Sequence, residues 1–322
     1  MKRATPANTA LARLIEHDAP LAARSAKTRH LLVILPVGAD WHGAPDYAAA
    51  EAALKRRHKK SGEIAKQPLT VELPGGCLSA WLRLDADKPV FHRHERLRQA
   101  LKPLLEEEPA EIVIAVYGSD EFRAGAARAA AYVAWLNGAA LTHWKSGKPA
   151  SALQRIVLHG VAGVDLSREQ ALAEGNLLAR ELTRMPPNLL TPASYRKQIR
   201  ALAKAEGWGI EEYDTAKLKR LKAGAFLAVA RGSGHEDAAI VRLSHGAGPG
   251  RARDKSIALV GKGICFDTGG HNLKPARYMH NMHDDMNGSA VALGTLLAAT
   301  RPNDNRTGRS RPSCRPGPRR RQ

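Results

Sequence analysis

Short apolar runs separated by longer mixed-polarity segments dominate the first half of the chain. LLVILP (Leu31–Pro36), EIVIAVY (Glu111–Tyr117) and RIVL (Arg155–Leu158) are compact, β-branched and free of charge in their centres, the pattern of strands buried on both faces. Leu69–Leu73 and Ala80–Leu84 flank the Pro74-Gly75-Gly76 turn and are predicted as a strand pair. Residues 46–60, Arg93–Leu105 and the alanine-rich Glu121–Asn137 carry helical spacing, and a further helical turn is expected at Ala10–Glu16 within an otherwise polar arm, residues 1–29. Alternating strands and helices predict an α/β domain over residues 1–162.

The character changes near residue 163. Ser167-x-x-Gln170 has the form of a capping box and is expected to open a helix that ends at Pro186-Pro187. Thr191-Pro192 supplies a threonine cap with proline at the first helical position of the next helix. Ala238–Leu243 reads as a strand, followed by a surface turn, SHGAGPGRARDK, residues 244–255. Ile257–Val260 then predicts a buried strand, and Ser289–Thr300 a small-residue helix capped by Asn287 or Gly288.

The chain has 322 residues, 43% of them hydrophobic, which is a globular balance sufficient for two modest cores. No apolar run reaches the length of a membrane span, and MKRATPANTALARLIEHDAP lacks the apolar centre of a secretory signal. Cys77, Cys265 and Cys314 are widely spaced and odd in number, so neither a disulfide framework nor a zinc spacing is expected, in keeping with a reducing cytoplasm. The net charge of +19 changes the picture less than its size suggests. Residues 301–322 hold eight arginines and one aspartate, and the remaining +12 is spread along the chain without aromatic interleaving. Solvated basic faces, including Lys55–Lys60, account for it, and a nucleic-acid partner is not expected.

Candidate chemistry concentrates in SIALVGKGICFDTGGHNLKPARYMHNMHDDMNGSAVALGTLLAAT, Ser256–Thr300. Lys262, Asp267, Lys274, Asp284 and Asp285 fall in loops between a predicted strand and a predicted helix, where α/β proteins carry their chemistry. Converging carboxylates repel one another unless a cation neutralises them, so a divalent metal is the natural partner. A lysine there either stays charged and stabilises an oxyanion or loses its proton and ligates, and the residue types alone leave both open. The segment fits neither a Walker loop, lacking the spacer and the Ser/Thr, nor a dinucleotide fingerprint, since Phe266 stands where a third glycine belongs. His92 and His94 with Asp85 and Asp87 have nothing to gather them and read as surface groups.

GKGICFDTGGHNLKP followed by MHDDMNGSA resembles the metal-site segment of the leucyl (cytosol) aminopeptidase family, and RMPPNLLTPASY, residues 184–195, resembles the entry to that family's catalytic domain. The resemblance covers about residues 160–300, and the first half matches in layout only. It implies a metallopeptidase-type α/β/α catalytic domain over residues 163–300 that removes N-terminal residues from peptides with two divalent ions, Mn²⁺ or Zn²⁺, with Mg²⁺ also fitting. Carried over by position, it implies Lys262, Asp267 and Asp285 as metal ligands, with Asp267 bridging. Lys274 would be the catalytic lysine that polarises the scissile carbonyl. Spacing selects Asp285 over Asp284. The resemblance further implies a cytoplasmic homo-oligomer, a hexamer in the family, acting on peptide substrates.

Several positions depart from the family pattern. Cys265, Thr268 and His271-Asn272 replace other residue types, and His280-x-x-His283 is expected to be structural or to line a rim. The family continues beyond its equivalent of Thr300 into an Asp-x-Glu-x-Arg segment that supplies two further metal carboxylates and an arginine holding the bicarbonate base. Here residues 301–322 follow instead, RPNDNRTGRSRPSCRPGPRRRQ, twelve of the 22 being Arg or Pro. Such a tail is expected to be disordered, with the bias that GC-rich DNA gives in a shifted reading frame. The expectation is therefore a catalytic domain that stops early, with impaired activity. An inactive fragment is the alternative, and a basic nucleic-acid-binding protein the remoter one.

Overall fold

The computed structural model describes residues 10–246, 257–271 and 273–301. The first nine residues, most of the 244–255 turn, Asn272 and the expected tail beyond Arg301 lie outside the described residues.

Five parallel strands and one antiparallel strand build the main sheet, in the order β1-β6-β5-β2-β4-β3. They are β1 (Arg13–His17), β2 (His30–Pro36), β3 (Leu69–Leu73), β4 (Cys77–Leu84), β5 (Glu111–Val116) and β6 (Arg155–His159), with β3 antiparallel to β4. Helices α1 (Tyr47–Arg56), α2 (Val90–Leu105) and α3 (Asp120–Gly138) fill the connections. The apolar runs are continuous because both faces of the sheet are covered. On β2, Leu32 and Ile34 face the core shared with α2 and α3, while Leu31, Val33 and Leu35 face the core shared with α1. Each such side chain stabilises the fold by about 1.5–3 kcal/mol relative to exposure. Alanines along α3 (Ala127, Ala130, Ala131, Ala134) are fully buried and let that helix lie close to the sheet.

Two expectations in this half meet corrections. Ala10–Glu16 is not helical: Arg13–His17 runs as an edge strand, paired residue for residue with Arg155–His159. The local pattern loses to tertiary pairing here, helped by the indole of Trp135, which donates to the Ala12 carbonyl at 2.9 Å. Residues 46–60 form a helix only to Arg56, and a 3₁₀ turn follows at Ser61–Ala65.

The second half contains α4 (Ser167–Thr183), α5 (Pro192–Glu206), β7 (Gly209–Asp214), α6 (Thr215–Arg220), α7 (Gly224–Ala230), β8 (Ala239–Ser244), α8 (Ala276–Met279) and α9 (Asn287–Thr300). β7 and β8 form a separate antiparallel pair. The expected capping box at Ser167 is not made. Ser167 is already helical, and its amide instead donates to the Asp165 carboxylate at 3.0 Å. Thr191 does cap α5, accepting from the Ser194 amide at 3.3 Å with Pro192 at the first helical position. Leu218–Arg231 is occupied by two short helices, α6 and α7, with Lys222 in the left-handed region (φ 55°) between them.

The largest correction concerns Ile257–Val260. This segment is neither paired nor buried: no described strand lies beside it, Ile257 is 90% exposed and Val260 99% exposed. Extended backbone becomes a strand only when a neighbour takes its amide and carbonyl groups, and among the described residues none does. Arg301, expected in a disordered tail, is packed. Its guanidinium pairs with Glu206 at 2.8 Å and also with Glu174, joining the end of α9 to α5 and α4.

Candidate metal centre

The loops bearing the expected site residues are anchored by what lies between those residues. A third core gathers Leu182 and Met185 from the end of α4, Tyr195 and Ala203 from α5, Trp208, and Ala290, Leu293 and Leu297 from α9. Cys265 and Met286 insert into it from the loops. Cys265 follows Lys262 by three residues and precedes Asp267 by two, and Met286 directly follows Asp285. Burial pushes the Cys265 thiol up to about 11, so it packs as a neutral group and not as a thiolate ligand.

Backbone contact fixes the two loops against each other. A side chain on Gly261 would lie 2.5 Å from the Gly288 carbonyl oxygen and 2.5 Å from the Ser289 Cα, so the loop can approach the start of α9 only with glycine there. Across this contact the Ser289 amide donates to the Lys262 carbonyl at 2.9 Å. α9 begins at Asn287, with Met286 as its cap residue in place of the expected Asn287 or Gly288.

The four expected site residues meet as two ion pairs. Lys262 Nζ lies 2.7 Å from Asp285 Oδ1, and Lys274 Nζ 2.6 Å from Asp267 Oδ2. The hydrogen bond from Lys274 holds the Asp267 carboxyl below its ordinary range, aided by the Gly269 amide and by the charges of Lys274 and Lys262. Lys274 also sits 3.4 Å from the Met282 sulfur. Asp284 lies in the 3₁₀ turn Met282–Asp284 just before Asp285. Among the described residues no three His, Cys, Asp or Glu side chains converge as a ready metal cluster, so His280 and His283 do not add to the acids.

One atom tests whether a cation suits this donor set. Asp285 Oδ2 is buried and has no hydrogen-bond partner among the described residues. A buried carboxylate oxygen left unpaired costs about 1–3 kcal/mol or more, and a divalent ion is the partner that would remove that cost. By donor chemistry alone, two carboxylates and an amine match part of the shell of one hard or borderline cation. They fall short of two complete shells, which call for at least four ligands each. Tyr195 and Ser289 are not among the site residues that sequence reasoning picks out. Their hydroxyls lie 3.0 Å apart beside the Lys262 loop. The only available signal was a tyrosine placed one helical turn after a threonine cap.

The fold is the α/β fold of leucine aminopeptidases. A tomato leucine aminopeptidase variant superposes with a TM-score of 0.66 at 20% identity, over 93% of this chain and 62% of that one. The bottromycin maturation enzyme BotP in complex with Mn superposes with a TM-score of 0.61 at 22% identity, over 86% and 57%. Residues 177–306 match the sequence profile of the cytosol aminopeptidase family, catalytic domain. It is 44% identical over 154 residues to a probable cytosol aminopeptidase of Stutzerimonas stutzeri, covering 46% of this chain and 30% of the relative. The counterpart from Methylobacterium radiotolerans is 39% identical over 140 residues, covering 44% and 27%. The chain thus aligns with less than a third of the length of these relatives.

Proposed function

We propose that this chain carries part of the divalent-metal centre of an aminopeptidase, the whole protein removing N-terminal residues from peptides by metal-assisted hydrolysis. The observation that carries this reading is the unpartnered Asp285 oxygen beside the Lys262 amine, with Asp267 close enough to feel the Lys262 charge. Asp285, Asp267 and Lys262 would hold the metal, Lys262 through its neutral amine. Carboxylates together with an amine nitrogen suit Mn²⁺ or Zn²⁺, and the oxygens alone suit Mg²⁺. When bound, the metal would supply Lewis-acid polarisation of the scissile carbonyl.

The chain's own residues then divide the work. Lys274 is the catalytic lysine: as an ammonium it donates to the carbonyl oxygen as negative charge develops there. To do so it must leave Asp267, whose carboxylate would then be free to serve as a metal ligand. Three donors cannot fill the shells of two ions, so a two-metal centre needs ligands beyond these. On its own the chain is then a half-site that binds a cation and turns substrate over poorly. The relatives' description as cytosol aminopeptidases supports a cytoplasmic peptide-processing role, and no helix among the described residues is long and apolar enough to cross a membrane. A homo-oligomer, a hexamer by family resemblance, completes the reading, and light scattering of the purified chain checks it.

The test is Mn²⁺ and Zn²⁺ titration calorimetry of the chain and of Asp285→Asn, alongside release of p-nitroaniline from leucyl-p-nitroanilide. Cation binding that is lost in the variant, with little turnover, is the expected result. Absence of binding in the unmodified chain would sink the metal reading, and rapid turnover would sink the half-site.

A further inference from the structure

We propose that Tyr195 is a positioning residue for the candidate metal centre, acting through Ser289 on the joint that carries both Lys262 and Asp285. This rests on the metal reading above for its purpose, but the linkage itself is independent of it.

The linkage follows from counting protons. Ser289 Oγ lies 2.7 Å from the Met286 carbonyl and 3.0 Å from the Tyr195 hydroxyl oxygen. A carbonyl only accepts, so the single serine proton is spent on Met286, and the Ser289 oxygen is left to accept from Tyr195. The Ser289 amide, at the same residue, donates both to Met286 at 3.0 Å and to the Lys262 carbonyl at 2.9 Å. One residue therefore ties the backbone of Lys262 to the backbone next to Asp285, and the two side chains meet at 2.7 Å on the far side of that tie. Two bonds hold the Ser289 side chain in its rotamer, the one it gives to the Met286 carbonyl and the one it accepts from the phenol of Tyr195.

Tyr195 is placed for this by the packing around it. It stands four residues beyond the Thr191 cap, in the first turn of α5, and is 5% exposed in the core that also receives Cys265 and Met286. A tyrosine serving only as apolar filler could be phenylalanine. Here its hydroxyl is buried, and burial pushes its own ionisation up to about 12. It is therefore a fixed neutral donor across the working pH range. α5 contributes no group to the ion pairs at the site, so the sequence spacing of the site residues gives no reason to look there.

The experiment compares the full chain with Tyr195→Phe, Ser289→Ala and the double variant, using two readouts. Hydrogen exchange of the Ser289 amide, which bonds to Lys262, is expected to quicken about tenfold in Tyr195→Phe, with the protection of α4 and the main sheet unchanged. Mn²⁺ affinity is expected to fall about tenfold, the lower end of losses on removing an outer supporting group. Ser289→Ala should fall by a similar factor, the double variant should fall no further, and Ser289→Thr should retain most of the affinity. Unchanged exchange at Ser289 in Tyr195→Phe would overturn the proposal whether or not metal binds. Failure of the unmodified chain to bind Mn²⁺, with exchange still quickened, would overturn the metal reading while upholding the linkage. Additive losses in the double variant would also count against it, since residues acting in series do not add.

Discussion

Gly175 of α4 and Gly294 of α9 meet backbone to backbone. A Cβ on either would sit 2.3 Å from the other's carbonyl oxygen. This crossing sets the distance between the two helices and hence where α9, and Asp285 just ahead of it, stand relative to the rest. Replacing Gly175 with alanine gains up to about 1 kcal/mol of helix propensity. It also forces apart two backbones that have no flexible side chain to yield, an overpacking cost of about 1–3 kcal/mol and more where the backbone must shift. Gly175→Ala should therefore lower the urea midpoint despite its better propensity. An unchanged or higher midpoint would mean the helices do not cross this closely.

Glu212 on β7 is clasped by Arg196 and Arg200 of α5, with Arg196 Nη2 at 2.5 Å. The hydrogen bond from Arg200, then that from Arg196, holds its carboxyl below the ordinary 4.5. Because the folded value is depressed, the stabilisation is fully present above 4.5 and disappears as pH falls through the folded value. Glu212→Gln should cost about 1–2 kcal/mol at pH 7, a charged hydrogen bond's worth for a partly buried pair. The gap between variant and unmodified chain should close in urea melts taken at successively lower pH below 4.5. A gap that persists undiminished at pH 2 would rule out charge as its origin.

Lys274 competes with any cation for Asp267, since the two are 2.6 Å apart. Lys274→Met removes a positive charge from beside the candidate centre, so Mn²⁺ should bind about five- to tenfold more tightly, while whatever hydrolysis the chain supports is lost. Calorimetric titration checks the first half and a chromogenic leucyl substrate the second. Weaker Mn²⁺ binding in Lys274→Met would show that the lysine organises the site and does not oppose the metal.

Val260 and Ile257 expose almost their whole side chains in a segment that no described strand pairs with, with Leu259 and Leu273 also exposed. Unpaired extended backbone with apolar side chains invites association. Val260→Lys together with Ile257→Lys should reduce dye binding and concentration-dependent light scattering without lowering the melting temperature, since neither side chain touches a core.

The sequence made the main sheet legible because its strands are buried on both faces. Leu31–Leu35 and Ile112–Val116 have no polar position to blur the reading. β1 was misread because its identity comes from pairing with Arg155–His159, 142 positions away, and not from its own pattern. The same reasoning failed in the opposite sense at Ile257–Val260, which has the residues of a strand but no described neighbour to make it one. The Lys262, Asp267, Lys274 and Asp285 spacing was readable because those residues sit on one loop-to-helix segment. Tyr195 was not, because its relation to them exists only in three dimensions, through a core shared with Cys265 and Met286 and a hydroxyl contact between α5 and α9. Arg301 lay beyond reach for a similar reason: its partners Glu174 and Glu206 belong to two other helices.

α4 gives Ala173 and Leu177 to the interior beneath the main sheet and Leu182 to the interior that receives Cys265 and Met286. Anyone who severs the gene beside residue 163, hoping to obtain either portion as a free-standing piece, would strip a wall from the upstream portion. Calorimetry on the intact chain should accordingly record a single heat-absorption peak, and a protease should find no early nick that releases a durable half.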